Sequence, residues 1–177
     1  MSFFPSLNEG ATLDQVQAPF KEMYRHWGRF SDALMRGPGP LTVAERELIA
    51  AYTSGLNACS MCYHDHTMAA TEFGVDPGTY KAVLADIDTA PVEAKMKPLL
   101  RYARKLTQTP AQLTAADAQA VFDAGWSEGA LHIAIMVCAR FNCINRLVMG
   151  HGLQYTPAYG DVWRDHHGLS YLIPEER

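Results

Sequence analysis

The sequence predicts an all-α protein, and three observations indicate this class. Residues that start and stop helices recur along the chain, whereas the apolar and polar alternation that is typical of half-buried strands is nearly absent. The hairpin dipeptide Asn-Gly does not occur. The 177 residues, with 48% hydrophobic and 19% charged side chains, have the composition of a globular protein. We therefore expect one helical domain over residues 1–177.

The first 40 residues are predicted to form a helical arm. Residues 12–35 have mixed helical spacing that Pro19 and Gly28 interrupt, and this pattern indicates a broken pair of helices. The sequence RGPGP follows at 36–40. Because glycine and proline both disfavour helix continuation, this segment is expected to separate the arm from a core over residues 41–153.

The core is predicted to begin with two antiparallel helices. Thr42 and Glu45 have the spacing of a capping box at the start of a helix over 41–57. One face of that helix carries apolar residues at helical spacing, namely Leu48, Ile49, Tyr52 and Leu56. A second helix is expected over 60–73, ended by Gly74, and a turn near 55–58 joins the pair.

Four further helices and an irregular tail are predicted downstream. Short helices are expected near 77–85 and over 113–125, the latter with Thr114 as its cap and Gly125 as its stop. The helix between them, over 92–107, is expected to begin properly at Pro98. Residues 127–150 are apolar on most faces and are predicted to form the central buried helix. The tail, 154–177, is rich in aromatic residues and is expected at a subunit interface.

The net charge and the hydropathy of the chain indicate which kinds of partner and which cellular compartment to expect. The formal net charge is −4, and the basic residues are scattered, so neither a nucleic-acid nor a membrane partner is expected. The first residues do not have the pattern of a signal peptide, and the apolar run 130–139 is too short to span a bilayer. A cytoplasmic protein is therefore expected, in which the four cysteines do not form a disulfide scaffold.

The segment NACSMCYHDH, residues 57–66, contains two cysteines and two histidines. Glu47 and His66 lie at similar distances from the predicted turn, so they can face each other across the two helices. Cys62 and His66 are four residues apart and share one helix face. Cys59 and Cys62, in a CxxC arrangement at the helix N-terminus, are close enough for a disulfide. A carboxylate, an imidazole and two sulfurs are thus predicted to converge.

This set of side chains is suited to thiol redox chemistry. His66 can accept the proton of Cys62, and Glu47 can orient His66. A thiolate that attacks a peroxide becomes a sulfenic acid, which a neighbouring thiol converts to a disulfide. The helix N-terminus favours Cys59 as the attacking sulfur, whereas the adjacent His66 favours Cys62. We give the directed proton acceptor more weight and expect Cys62 to attack and Cys59 to resolve.

Three other interpretations of the cysteine pair stay open. Cys59, Cys62, His66 and Glu47 are four residues of types that bind zinc, although a second ligand pair such as another CxxC is missing. The site could instead exchange electrons with a dithiol or disulfide partner and react little with peroxide. Alternatively, the cysteines are inert or structural, in a non-enzymatic oligomeric scaffold.

The spacing from Glu47 through Cys59 and Cys62 to His66 has the form E-x11-C-x2-C-x3-H. This pattern resembles the alkylhydroperoxidase D-like (AhpD-like) core, in the peroxidase-related branch of the carboxymuconolactone decarboxylase superfamily, and the resemblance covers residues 41–153. It implies an all-helical fold with no cofactor, which reduces a hydroperoxide with an external dithiol reductant and assembles as a homo-oligomer, a trimer or hexamer. It also implies that Cys62 is peroxidatic, that Cys59 resolves, and that Glu47 and His66 relay protons. Met61 replaces the histidine that often precedes the second cysteine, which predicts a weaker relay.

The remaining polar and cysteine residues are assigned structural positions. Asp65 is interpreted as a surface charge, and His64 as a solvated residue or a subunit contact. Asn145 is expected to act in packing or a helix-end ion pair. The other expectations are a core position for His132, a helix-end cap for His151, buried apolar positions for Cys138 and Cys143, and no assigned role for His166 and His167.

Overall fold

The computed structural model describes residues 2–8, 10–157, 159 and 170–172, and within these ranges the regular elements are helices joined by turns and loops. No strand occurs within these ranges, so the all-α prediction is confirmed. The α-helices in chain order are α1 (Leu13–Gln17), α2 (Lys21–Arg36), α3 (Val43–Leu56), α4 (Ser60–Glu72), α5 (Pro77–Ala85), α6 (Met96–Gln108), α7 (Ala115–Asp123) and α8 (Glu128–Gly150). Short 3-10 turns, Ala18–Phe20 and Pro110–Gln112, precede α2 and α7.

The helix ends follow the caps that the sequence predicts. The Thr42 hydroxyl accepts a hydrogen bond from the Glu45 backbone N–H at 3.2 Å, and the Glu45 carboxylate accepts one from the Thr42 N–H at 2.7 Å. This capping box satisfies backbone donors that the first turn of α3 would leave unpaired. At the C-terminus of α4, Gly74 has the positive φ of 92° that ends a helix without a side-chain penalty.

Helices α3 and α8 form the centre of the molecule. Helix α3 packs on α4, α5, α6 and α8, while α8 contacts α2, α4, α6 and α7. By length and composition alone, α8 is apolar enough to cross a membrane, a property that the shorter run 130–139 did not indicate. A core helix passes the same test, and α8 is buried at positions along its length, from Ala130 to Val148. Its apolar composition thus fits its central place in the core.

Three sequence predictions about the arm and the later helices need correction. Pro19 does interrupt the arm, but Gly28 lies inside the continuous helix α2. A side chain at Gly28 would place its Cβ 2.7 Å from the Tyr171 carbonyl oxygen, so this glycine permits a close contact with the tail. Helix α6 begins at Met96, because Pro98 is compatible with the whole first turn. His132 is exposed, since it faces away from the helices that bury α8.

The second half of α8 contains two other predicted positions. Cys138 is fully buried as expected, but Cys143 is exposed. The two residues lie on different faces of the helix, which explains this difference. His151 is the C-cap of α8, and its Nδ1 lies 2.7 Å from the Leu147 carbonyl oxygen, as a helix-end cap requires.

The described tail residues pack on their own chain. The ring of Tyr155 stacks on exposed His64 with the centroids 4.0 Å apart, and the Tyr155 N–H donates to the Ser60 hydroxyl at 3.4 Å. Tyr171 lies against α2. A contact of residues 154–177 with a neighbouring subunit stays a prediction, and His166 and His167 lie outside the described residues.

Candidate active site

Glu47 is the centre of a polar cluster that α2, α3, α4 and the tail build together. Its side chain, on the buried helix α3, has no solvent exposure. The Oε1 atom accepts a hydrogen bond from Arg36 Nη1 at 2.5 Å, and Oε2 lies 2.6 Å from His66 Nδ1. The Tyr171 hydroxyl lies 3.4 Å from Oε1. The predicted pairing of Glu47 with His66 across the helix pair is therefore present in the structure.

The pKa values of Glu47 and His66 fix the charges of this pair. Burial alone would raise the pKa of Glu47, but His66 and Arg36 hold it below its ordinary value, so Glu47 is a carboxylate. Burial lowers the pKa of His66 more strongly than Glu47 raises it, so the imidazole is neutral at neutral pH. A neutral His66 must donate its Nδ1–H to the carboxylate, which leaves Nε2 as a proton acceptor.

The two cysteines of the CxxC sequence lie at the junction between α3 and α4. Ala58 ends the turn with a positive φ of 55°, and Cys59 is the N-cap residue of α4. The Cys59 N–H donates to the Ser54 carbonyl oxygen at 3.0 Å, which ties the turn to the end of α3. Both cysteines are thiols, with exposed fractions of 1% for Cys59 and 5% for Cys62. The site thus contains two buried cysteines at the start of α4.

The two thiols ionise differently. A hydrogen bond from Cys62 lowers the pKa of Cys59 against the effect of burial, with a smaller contribution from Asn145. The pKa of Cys62 is raised well above its ordinary value by its hydrogen bond to Cys59, by burial and by electrostatic repulsion from Cys59. Cys59 is therefore the more acidic of the two thiols, and Cys62 keeps its proton more strongly. The role predicted for Cys62 then depends on its access to a base, and not on its own acidity.

Asn145 connects the dithiol to α8. It is fully buried and donates from Nδ2 to the Ser54 hydroxyl at 3.0 Å, while Asn57 donates to its Oδ1 at 2.9 Å. Its hydrogen bonds to Cys59 and Cys62 lower the pKa of both thiols. The predicted role, packing or a helix-end ion pair, did not include this contact with the thiols. The signal in the sequence is a polar residue in the middle of an apolar helix, because such a residue is buried only with partners.

Arg140 places a second buried cation beside the site. Its guanidinium lies over the rings of Phe141, Tyr171 and Trp27, at 4.5, 4.7 and 5.7 Å from the centroids. Its Nε donates to the Ser31 hydroxyl at 2.8 Å, and no carboxylate pairs with it among the described residues. The aromatic faces supply part of the attraction that a buried cation needs. Burial lowers the pKa of Arg140, whereas Tyr171, Glu47 and Cys62 raise it, so this cation interacts electrostatically with the site.

Asp65 is half-buried and is not the surface charge that the sequence predicts. Its Oδ2 accepts a hydrogen bond from the Tyr159 hydroxyl at 2.9 Å, and its Oδ1 is buried with no hydrogen-bond partner among the described residues. Burial raises the pKa of Asp65 to about 8, more than the bond from Tyr159 lowers it. Tyr159 of the tail covers this part of α4. The periodicity of the helix could not predict this contact, because it does not show where the tail lies. Asp65 is therefore a protonated carboxyl at neutral pH.

A comparison with protein families finds a match in the first part of the chain. The sequence model described as the carboxymuconolactone decarboxylase family matches residues 21–105, a range that includes α2 to α5 and most of α6. The segment that holds Glu47, the two cysteines and His66 is therefore similar to this family. No functionally curated protein matches the sequence significantly.

Solved structures of peroxidase-related proteins share the fold of this chain. An uncharacterized peroxidase-related protein from Ralstonia eutropha JMP134, with an alkylhydroperoxidase AhpD core, superimposes with a TM-score of 0.74 and 22% identity over 90% of this chain and 80% of that one. An uncharacterized peroxidase-related protein from Silicibacter sp. TM1040 gives 0.70 and 22% over 89% of this chain and 97% of that one. These likenesses confirm the AhpD-like helical fold.

Within this AhpD-like fold, the structure brings all four predicted site residues to the α3–α4 pair. Glu47 contacts His66 directly, and Cys59 is hydrogen-bonded to Cys62. The sequence did not predict that side chains from other elements lie at the site. These side chains are Arg36, Arg140, Asn145, Tyr159 and Tyr171. Their positions depend on how distant segments of the chain pack together. The spacing of residues along α3 and α4 gives no information about that packing.

The metal interpretation of these residues finds no support in the geometry. Among the described residues, no three His, Cys, Asp or Glu side chains are grouped so that they could hold one ion. Glu47 and His66 instead bind each other and Arg36. Both carboxylate oxygens of Glu47 thus already accept hydrogen bonds within the protein.

Proposed function

We propose that this protein is a cysteine-based hydroperoxide reductase of the antioxidant type. The observation that carries the proposal is a pair of buried free thiols at the start of α4, with Cys62 one helical turn before His66. His66 Nδ1 in turn lies 2.6 Å from Glu47 Oε2. The match of residues 21–105 to the family and the likeness to peroxidase-related proteins support the same class of reaction. The catalytic residues proposed are Glu47, Cys59, Cys62 and His66.

In the first step, Cys62 is oxidised by the peroxide. Because the pKa of the Cys62 thiol is raised, the thiol needs a base, and the unprotonated Nε2 of His66 is available to accept its proton. Glu47 stabilises the imidazolium that forms. The Cys62 thiolate then attacks the terminal oxygen, the O–O bond breaks, and the departing alkoxide takes the proton back from His66. The products are a Cys62 sulfenic acid and one alcohol.

In the second step, Cys59 resolves the sulfenic acid. The Cys59 sulfur attacks the Cys62 sulfur, the S–O bond breaks, and one water leaves as the disulfide forms. An external dithiol then reduces this disulfide to two thiols and is itself oxidised to a disulfide. Over the whole cycle one hydroperoxide is reduced to an alcohol and water, and one dithiol is oxidised.

Rapid mixing of the reduced protein with hydrogen peroxide and with an organic hydroperoxide tests this proposal. The measurement uses a Cys143→Ser background, because Cys143 is an exposed thiol unrelated to the site. We expect two thiols to be lost rapidly, Cys59→Ser to stop at a sulfenic acid that a 1,3-dione traps on Cys62, and Cys62→Ser to react slowly. An oxidation no faster than that of a free thiol would contradict the proposal.

A second candidate function is dithiol–disulfide exchange with a partner. The lowered pKa of Cys59, at the N-terminus of α4, favours it, because the first cysteine of a CxxC sequence attacks an external disulfide in this chemistry. Oxidation rates of the Cys143→Ser protein by a small disulfide and by peroxide separate the two candidates. In exchange, Cys59→Ser abolishes the reaction, whereas in peroxide reduction Cys62→Ser does.

We also propose a homo-oligomer, a trimer or hexamer, which works in the cytoplasm with an external dithiol. Large apolar side chains on the arm support an assembly, since Phe20, Met23 and Phe30 have exposed fractions of 58%, 57% and 38%. Sedimentation velocity at micromolar concentration is expected to show a mass of three or six chains. A single-chain mass over this range would contradict it.

A further inference from the structure

Asp65 lies beside the dithiol on the same helix as Cys62. The two residues are three positions apart on α4, which makes them neighbours on its surface, on the other side of Cys62 from His66. The structure also couples the charge of Asp65 to Cys59 and to Cys62. By helix geometry, Cys62 thus neighbours Asp65 three residues further along α4 and His66 four residues further along.

The carboxyl of Asp65 is held in place but is not fully hydrogen-bonded. The Tyr159 hydroxyl fixes Oδ2 at 2.9 Å, whereas Oδ1 is sealed from solvent without a hydrogen-bond partner in the described part of the chain. An unpartnered buried carboxylate oxygen is costly, and a proton on the carboxyl reduces this cost. The geometry therefore leaves one oxygen of Asp65 ready to carry a transferable proton.

The groups around Asp65 favour the protonated form. Burial is the largest effect, and negative charges on Cys59, Asp14 of α1 and Glu47 of α3 act in the same direction. Of the causes that act on the pKa of Asp65, the hydrogen bond from Tyr159 is the one that lowers it. The resulting pKa of Asp65 is about 8. Of these charges, the one on Cys59 changes during the proposed reaction, because disulfide formation removes it.

We propose that Asp65 is the proton donor of the resolving step, in which it protonates the oxygen that leaves Cys62 as Cys59 closes the disulfide. This inference rests on the proposed peroxide reduction. The Cys59 thiolate attacks the Cys62 sulfenic acid, the S–O bond breaks, and the hydroxyl takes the Asp65 proton to leave as water. One thiolate, one sulfenic acid and one carboxylic acid give one disulfide, one water and one carboxylate, with a single negative charge on each side.

The negative charge moves from Cys59 to Asp65 in this step. As long as the thiolate is present, its charge holds the proton on Asp65. When the sulfur becomes part of the disulfide, this repulsion ends, so the carboxyl loses its proton more easily. Reduction of the disulfide reverses the sequence and returns a proton to Asp65. Oxidation and proton release are therefore linked at one carboxyl.

The test is a rapid-mixing experiment on the full chain, in the Cys143→Ser background, with hydrogen peroxide as the probe. Sulfenic acid is followed by 1,3-dione trapping, and disulfide by the loss of two hydrogens in mass spectrometry. Asp65→Asn has the charge of the protonated wild type at pH 7 but cannot give a proton. We expect an unchanged sulfenic acid phase and a disulfide phase about 100-fold slower, the size of a typical acid–base contribution.

The pH profile separates proton donation from a structural role. In the wild type we expect the rate of disulfide closure to fall as the pH rises through about 8, because the donor is then ionised. Asp65→Asn is expected to lack this decrease. Tyr159→Phe removes the bond that lowers the pKa of Asp65, so its decrease is expected at higher pH. Asp123→Asn, on the exposed face of α7, is the control and is expected to match the wild type.

The outcomes distinguish this inference from the proposed function. If the wild type shows no peroxide-dependent sulfenic acid phase, peroxide reduction fails and the inference fails with it. If Asp65→Asn shows a normal first phase and also closes the disulfide at the wild-type rate, only the role of Asp65 is overturned. If Asp65→Asn does not fold, an unshifted pH profile in Tyr159→Phe overturns the role, and a shifted profile supports it.

Discussion

Glu47 is a single carboxylate that binds two nitrogen donors in the interior. Arg36 and His66 contact its two oxygens at 2.5 and 2.6 Å, and its side chain is inaccessible to solvent. At the scale of one residue, this makes Glu47 important for stability as well as for the relay. A buried charge is tolerated only while its partners are present.

Replacement of Glu47 by glutamine is expected to destabilise the protein by about 3 kcal/mol, because it leaves the Arg36 cation without its buried counter-charge. Urea unfolding at pH 7 measures the change. Glu45→Gln, two residues earlier on α3, is the matched control, since glutamine can also complete the capping box with Thr42. An equal loss in both variants would show that the Glu47 charge is not responsible.

The raised pKa of Asp65 predicts a specific pH dependence of stability. The folded pKa is about 8, against an ordinary value of 3.8, so the folded state holds a proton that the unfolded state releases between these values. The contribution of Asp65 to stability is complete below pH 3.8 and is lost as the pH rises to about 8. The difference in unfolding free energy between the wild type and Asp65→Asn should therefore decrease from pH 4 to pH 8.

The comparison with Asp65→Asn is needed because other buried groups act in the opposite direction. The lowered pKa values of His66 and Glu47 give contributions that are lost as the pH falls. The wild-type curve alone sums these effects. Urea titrations of both proteins at several pH values isolate the Asp65 contribution, and a difference that stays constant with pH would contradict a raised pKa.

Single residues show how far the sequence predicts the site. Glu47 and His66 could be paired in advance, because the rise of two antiparallel helices places them at equal height. Asp65 could not, because Tyr159 of the tail covers it, and the path of the tail has no helical period. Cys143 and His132 were assigned to the interior because α8 is apolar almost everywhere, so its exposed face could not be identified.

At the scale of elements, the turn between α3 and α4 has a strained backbone directly before Cys59. Ala58 has a φ of 55°, in the left-handed region that costs a non-glycine residue about 1 kcal/mol. The next residue, Cys59, is the N-cap of α4 and has an extended backbone conformation. The turn thus changes direction within two residues, and Ala58 carries the conformational cost.

Ala58→Gly is expected to stabilise the protein by up to about 1 kcal/mol, because glycine adopts the left-handed conformation without a steric penalty. Thermal and urea unfolding measure the change. Ala118→Gly, within helix α7, is the control and is expected to lose about 1 kcal/mol through its helix propensity. A loss of similar size at position 58 would show that the turn is not strained.

Helix boundaries were predicted better than helix faces. The caps at Thr42 and Thr114 and the stops at Gly74 and Gly125 are local signals, and the structure has each of them in place. Gly28 was wrongly predicted to interrupt the helix. The sequence alone cannot distinguish a glycine that permits close packing from a glycine that ends a helix. The difference is visible only once the tail lies against α2.

At the scale of the whole molecule, both ends of the chain reach the site. Arg36 comes from the arm and Tyr171 from the tail, and both contact Glu47. The guanidinium of Arg36 also lies 4.9 Å from the centroid of the Tyr171 ring. The approach of Tyr171 to α2 is possible because Gly28 has no side chain.

Gly28→Ala is expected to displace the tail, because the new Cβ would lie 2.7 Å from the carbonyl oxygen of Tyr171. We expect a loss of about 1–3 kcal/mol, the cost of overpacking, and faster proteolysis after residue 154. Urea unfolding and limited proteolysis measure the two effects. Gly150→Ala, where no atom lies within 4 Å of the new Cβ, is the control. Equal protease resistance in the two variants would contradict a Gly28-dependent tail.

The convergence of the chain ends has a consequence for how related sequences are grouped. The family match, 21–105, includes Arg36, Glu47 and the dithiol, but Asn145 and Tyr171 lie beyond it. Two chains can therefore share the cysteine motif and differ in the side chains that set its acidity. Transfer of residues 21–105 into another protein would move the cysteine motif without Asn145 and Tyr171. A search for the motif alone should therefore group proteins whose thiols differ in reactivity.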